Sequence, residues 1–221
     1  MISLLNGLAS FAARPVLAIA VCAPSVVFGQ CPDDGKTFFC EVDKGFKGIT
    51  FLGDDSYQGF FVGSKFRTED DPNRVVFWVD DLRLEWRLIA PEAFHAGAKS
   101  SKKQKLSSYF KFEVDYINDL KRKKQVQVND LKLFKPISIK GERGEQTFQI
   151  MKAILGEKGD QAPQYWVATN HPQGIVLLSV IQTKKDDSQS VNRFIDSYMT
   201  SFSGVDAELC KKIRQQQPQQ E

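Results

Sequence analysis

The sequence predicts an α+β fold: a mainly antiparallel sheet of about six to eight strands with a C-terminal amphipathic helix packed on one face. Three observations carry this. Residues 165–169 and 175–181 are aromatic and β-branched runs separated by turn residues, which spells a hairpin. Val191, Phe194, Ile195, Tyr198 and Phe202 recur at helical spacing among polar neighbours, so the segment after the hairpin has one apolar face. Leu82, Leu84, Trp86 and Leu88 alternate strictly with Arg83, Glu85 and Arg87, the pattern of a half-buried strand.

Taken in order, residues 1–29 read as a signal peptide: no acid, a single base at Arg14, and an apolar run over residues 15–28, with cleavage expected before Gln30. That run is too short and too interrupted by Pro15 and Pro24 to span a membrane. Residues 30–204 are expected to form a single α+β domain, and residues 205–221 a short helix and a disordered Gln-rich tail. Within the domain, residues 30–45 form an N-terminal segment, and residues 48–52 and 57–62 are short strands divided by glycine. Residues 65–73 are polar and end in a turn. Residues 74–79 and 82–88 form a hairpin about Asp80 and Asp81. Residues 90–105 read as a loop. Residues 109–117 are read as a strand, because Phe110, Phe112, Val114 and Tyr116 alternate with Lys111, Glu113 and Asp115; Leu106, Tyr109, Phe110, Ile117 and Leu120 also suit a helix. Residues 126–128, 131–134 and 137–139 are strand fragments, residues 147–155 suit strand or helix, and residues 157–163 form a loop. Residues 170–174 are turn chemistry. The run 175–181 is apolar at six of its seven positions and belongs at the sheet centre, covered on both faces. Residues 186–188 are capping residues, and Gly204 stands where a helix C-terminus takes glycine.

The hairpin Tyr165, Trp166, Val167, Ala168, turn, residues 175–181, followed by a helix carrying Phe194, Ile195, Asp196, Ser197 and Phe202, resembles the C-terminal end of PsbP-like proteins. The resemblance implies an α/β/α sandwich around an antiparallel sheet and a role in binding or assembly, and it transfers no site residue.

Composition narrows the function. Without residues 1–29 the chain holds 29 basic against 27 acidic side chains, too balanced to recruit a polyanion by net charge, and an exported chain does not meet nucleic acid. An exported protein enters an oxidising compartment, so one disulfide is expected among Cys31, Cys40 and Cys210. Cys31–Cys40 would close a small loop, whereas pairing either with Cys210 would tie the two ends together; the sequence leaves the choice open. The cysteine spacing does not suit a metal, and no cofactor is expected.

The two histidines read as polar loop residues, His95 after Pro91 and His171 in the hairpin turn. No serine lies in a glycine elbow, and Asp54–Asp55, Asp70–Asp71, Asp80–Asp81 and Asp186–Asp187 fall at turns or a helix start, where aspartate has local work. No catalytic residue is expected. Two basic runs form an expected interaction patch: Lys99, Lys102, Lys103 and Lys105, and Lys121, Arg122, Lys123 and Lys124. Their partner is an acidic protein or an anionic membrane surface. The chain is thus expected to be a secreted or periplasmic, non-enzymatic protein-binding or assembly module of the cell envelope. The alternatives are a binder of a small apolar ligand or lipid, suggested by seventeen Phe and the glycine-broken strands, and a cell-envelope hydrolase.

Overall fold

The computed structural model describes residues 37–42, 45–52, 55–69, 75–94, 101–141, 144–157, 160–183 and 188–205. Among them the elements run β1 (Thr37–Val42), β2 (Gly45–Leu52), β3 (Asp55–Phe61), β4 (Phe66–Glu69), β5 (Val75–Val79), β6 (Leu82–Ile89), a 3-10 turn (Pro91–Phe94) and α1 (Lys102–Arg122). They continue with β7 (Gln127–Leu133), β8 (Ile137–Gly141), β9 (Gly144–Glu157), β10 (Asp160–His171), β11 (Gly174–Gln182), α2 (Ser188–Ser201) and β12 (Ser203–Val205).

The strands make two antiparallel sheets. The larger has the order β4-β5-β6-β11-β10-β9-β7, with β8 on the free half of β9; the smaller has the order β1-β2-β3-β12. The long run 175–181 is β11, flanked by β6 and β10. Its alternate side chains serve two cores, which is why it lacks a polar face. Val176, Leu178 and Val180 join Phe77, Leu84, Trp86, Val167 and Phe148 on one face. Ile175 and Leu177 join Met151, Ala153, Trp166 and Ala168 on the other.

The first face is covered by α2 and the small sheet together. Val191, Phe194, Ile195, Tyr198 and Met199 of α2, with Phe202 just beyond it, pack there with Phe39, Phe46 and Phe61. The rings interlock: Phe61 stacks on Phe194 at 5.6 Å and on Tyr198 at 5.7 Å, and meets Trp86 edge-on at 5.7 Å. Phe46 and Phe61 of residues 45–63 therefore belong to this interface, and two of the glycines leave room for its rings. A Cβ at Gly48 would stand 2.7 Å from the Phe39 ring, and one at Gly59 2.8 Å from the Tyr198 ring. The second face is covered by α1, through Leu106, Tyr109, Phe110 and Ile117, with Phe94 from the 3-10 turn. The layers are α1, the large sheet, then α2 with the small sheet.

Several sequence expectations change. Residues 109–117 are not a strand but the middle of the 21-residue α1. Leu106, Tyr109, Phe110 and Ile117 find the sheet at helical spacing, whereas Phe112 and Tyr116, which completed the alternation, remain 37% and 53% exposed. The loop expected over residues 90–105 contains the 3-10 turn and the start of α1. The polar stretch after Lys65 contains β4. Where residues 157–163 are described they are strand and not loop: β9 runs to Glu157, and β10 starts at Asp160 and carries Pro163 opposite Ile154. Gly204 does not end the helix but lies in β12, opposite Tyr57. The turn at 170–174 contracts to Pro172 and Gln173, because His171 and Gly174 pair. The ambiguous residues 147–155 are strand β9. Residues 1–29, Cys31, His95, Lys99, the acids Asp70, Asp71, Asp186 and Asp187, and the tail with Cys210 lie outside the described residues.

Candidate interaction surface

The surface is organised by α1. Its start is a capping box: the Ser101 hydroxyl accepts from Gln104 N at 3.3 Å, and Gln104 Oε1 accepts from Ser101 N at 2.7 Å. Its end carries Lys121 and Arg122, cations that suit the negative end of the helix dipole. Lys102 and Lys103 stand in the first turn, where no acid offsets them.

At about 3.6 residues per turn, Lys105, Phe112, Tyr116, Asp119 and Lys123 share one flank of the helix. The Phe112 and Tyr116 rings lie parallel, within 6°, at 6.5 Å. Asp119 pairs with Arg122 and with Lys123, whose Nζ is 2.6 Å from its carboxylate; both partners hold the carboxyl below its ordinary range. Lys121 and Lys124 are exposed, with no ion pair among the described residues. At the other end Lys105 Nζ approaches the Pro172 carbonyl at 3.5 Å, tying α1 to the β10–β11 hairpin. The two basic runs thus stand at opposite ends of α1, about 27 Å apart for the 18 residues between Lys105 and Lys123. What joins them is the aromatic pair. Phe112 and Tyr116 were not picked out as surface residues from the sequence; the capping pattern at Ser101 and Gln104 was the local signal that would have turned the alternation into a helix.

His171, Asp80 and the Glu85–Arg87 pair make structural contacts. His171 is buried, not a polar turn residue: its Nδ1 accepts from Gln173 N at 3.0 Å and its ring lies 5.1 Å from Tyr57. Asp80 accepts from Ser64 N at 3.0 Å, Ser64 Oγ at 2.9 Å and Lys65 N at 2.8 Å, fastening the approach to β4. Cys40 is in β1. On β6, Arg87 Nε lies 3.1 Å from Glu85 Oε1.

No family model matches the chain, and no curated protein matches it. Among solved structures it is similar to the solution structure of cyanobacterial PsbP (CyanoP) from Synechocystis sp. PCC 6803. The identity is 13% and the TM-score 0.47, with 80% of this chain and 98% of that chain covered.

Proposed function

We propose that this chain is an exported, non-enzymatic binding module that docks an acidic partner protein along the flank of α1. The observation that supports it is the Phe112–Tyr116 pair, standing outside both cores between cations at each end of one helix. Aromatic rings supply contact area at low entropic cost, and flanking cations steer an acidic partner.

The test places a photo-cross-linking residue at Tyr116, at Lys123 and, as a control on a different element, at Arg67. Cross-linking is run in the native envelope fraction at low and high salt. The expected result is one identified acidic protein captured from the first two positions, not from Arg67, and lost at high salt. Phe112→Ser with Tyr116→Ser abolishes capture. Replacing Lys121, Arg122, Lys123 and Lys124 by Ser weakens capture while the domain stays folded, because all four side chains lie outside both cores. Equal capture from all three positions, or retention on anionic vesicles with no protein captured, overturns the proposal.

A further inference from the structure

The large sheet has two edges, and they are built differently. The β7–β8 edge is guarded as exposed edges usually are. It carries exposed Lys132, Lys135 and Lys140, a register shift between Asn129 and Lys132, and Pro136, which has no amide hydrogen. At the other edge stands β4, which contains no proline and runs in unbroken register with β5. Its exposed charges, Arg67 and Glu69, are opposite in sign and two residues apart.

Backbone alternation determines which groups this edge offers. Asp80 N donates to Lys65 O at 2.9 Å, so these two residues are a hydrogen-bonded pair. In the register of β4 with β5, Arg67–Trp78 and Glu69–Val76 are the next such pairs. The N–H and C=O of Thr68 therefore point away from β5, out of the sheet. Arg67 and Glu69 share one face of the strand and are held from beneath. The Arg67 guanidinium lies over the Trp78 ring at 4.2 Å. Glu69 accepts from Trp78 Nε1 at 3.2 Å and from Arg83 Nε and Nη2 at 3.3 and 3.2 Å. Arg67 has no carboxylate partner among the described residues. Glu69 keeps room for a further donor, since a carboxylate offers about four acceptor sites. Phe66, on the other face, is committed inward, 4.8 Å from Phe39 and 4.9 Å from Phe46.

We propose that β4 pairs antiparallel with β4 of a second copy about a two-fold axis at Thr68, joining the two large sheets into one. In that register the outward N–H and C=O of Thr68 meet those of the other Thr68, and each Arg67 stands opposite the other copy's Glu69. The charged pairs fall at non-hydrogen-bonded positions, where side chains come closest, with Cα atoms about 4.5 Å apart. An axis centred on Arg67 or on Glu69 instead sets like charges opposite each other, so the charges select the register. The two-fold is closed and stops at a dimer. Four residues of strand bury little area, so the dimer is weak and concentration-dependent. This surface is separate from the α1 flank and does not rest on the docking reading.

The test is sedimentation of the full chain from about 10 µM to about 1 mM, at low and high salt. Monomer passes to dimer as concentration rises, and the dissociation constant increases with salt. Arg67→Glu turns both unlike pairs into like ones and raises the dissociation constant about tenfold or more. Glu69→Arg does the same from the other side, and an equimolar mixture of the two variants dimerises again, because each supplies the sign the other lacks. Thr68→Pro removes the outward N–H without changing a charge or a bond to β5, so the dimer is lost while the melting temperature holds near that of the wild type. That variant decides the matter if Glu69→Arg, which also gives up Arg83, fails to fold. A monomer at every concentration, a dimer that survives Thr68→Pro or Arg67→Glu, or a mixture of folded charge variants that stays monomeric overturns the pairing.

Discussion

Gly59 of β3 is where α2 comes closest to the small sheet, and substituting it tests how the layer is built. A Cβ at that position would lie 2.8 Å from Tyr198 Cδ2 and 2.9 Å from Cε2, well inside the optimal carbon–carbon separation of about 3.5–4.0 Å. The ring has nowhere to retreat. It stacks on Phe61 and meets Trp86 edge-on at 5.9 Å, Phe148 at 6.4 Å and Phe202 at 5.5 Å. Hydrogen bonds from Phe60 N to Ser201 Oγ at 2.6 Å and from Ser197 Oγ to Phe60 O at 3.2 Å hold the spacing on either side. Gly59→Ala therefore has to push α2 off β3 or bend the strand. Overpacking costs about 1–3 kcal/mol. Replacing glycine inside a strand returns about 0.5–1 kcal/mol. The net expectation is a loss of about 1–2 kcal/mol. Urea unfolding of Gly59→Ala, Tyr198→Leu and the double variant measures it. In the leucine background the methyl has room, so alanine at 59 becomes neutral or slightly stabilising. The coupling energy is then about 1–3 kcal/mol. A single-variant loss below about 0.5 kcal/mol with no coupling would refute the close contact.

Phe194→Ala removes a fully buried ring stacked on Phe61 and is expected to cost about 3–5 kcal/mol in a chemical melt; a loss under about 1 kcal/mol would mean that α2 is not docked. Asp80→Ala deletes the acceptor of three hydrogen bonds and places alanine at φ 51°, a left-handed backbone that aspartate tolerates better. It is expected to cost about 1–2 kcal/mol, with Asp80→Asn retaining most of the stability, and equal losses in both variants would assign the effect to charge instead of hydrogen bonding.

The elements that could be read from the sequence are those whose signal is local. The β10–β11 hairpin, the β5–β6 hairpin and α2 each announce themselves through periodicity and turn residues within about twenty positions. The nearly continuous apolar run of β11 correctly implied cover on both faces, because no other arrangement hides both sets of side chains. Asp80 behaved as a turn residue for the same local reason.

What the chain alone left undecided depended on which surfaces meet. In residues 109–117 two apolar patterns overlap, one of period two and one helical. Only the presence of Met151, Ala153, Trp166 and Leu177 as a receiving surface selects the helical set. That selection turned Phe112 and Tyr116 outward and set the two basic runs at the ends of one helix. The division into two sheets had the same origin. β12 pairs with β3 across nearly the whole described chain, and α2 and the small sheet share one face because Gly48 and Gly59 leave room for rings. Local sequence determined where the strands and α2 lie; long-range packing decided the state of α1, the partners of each face and hence the surface that α1 presents.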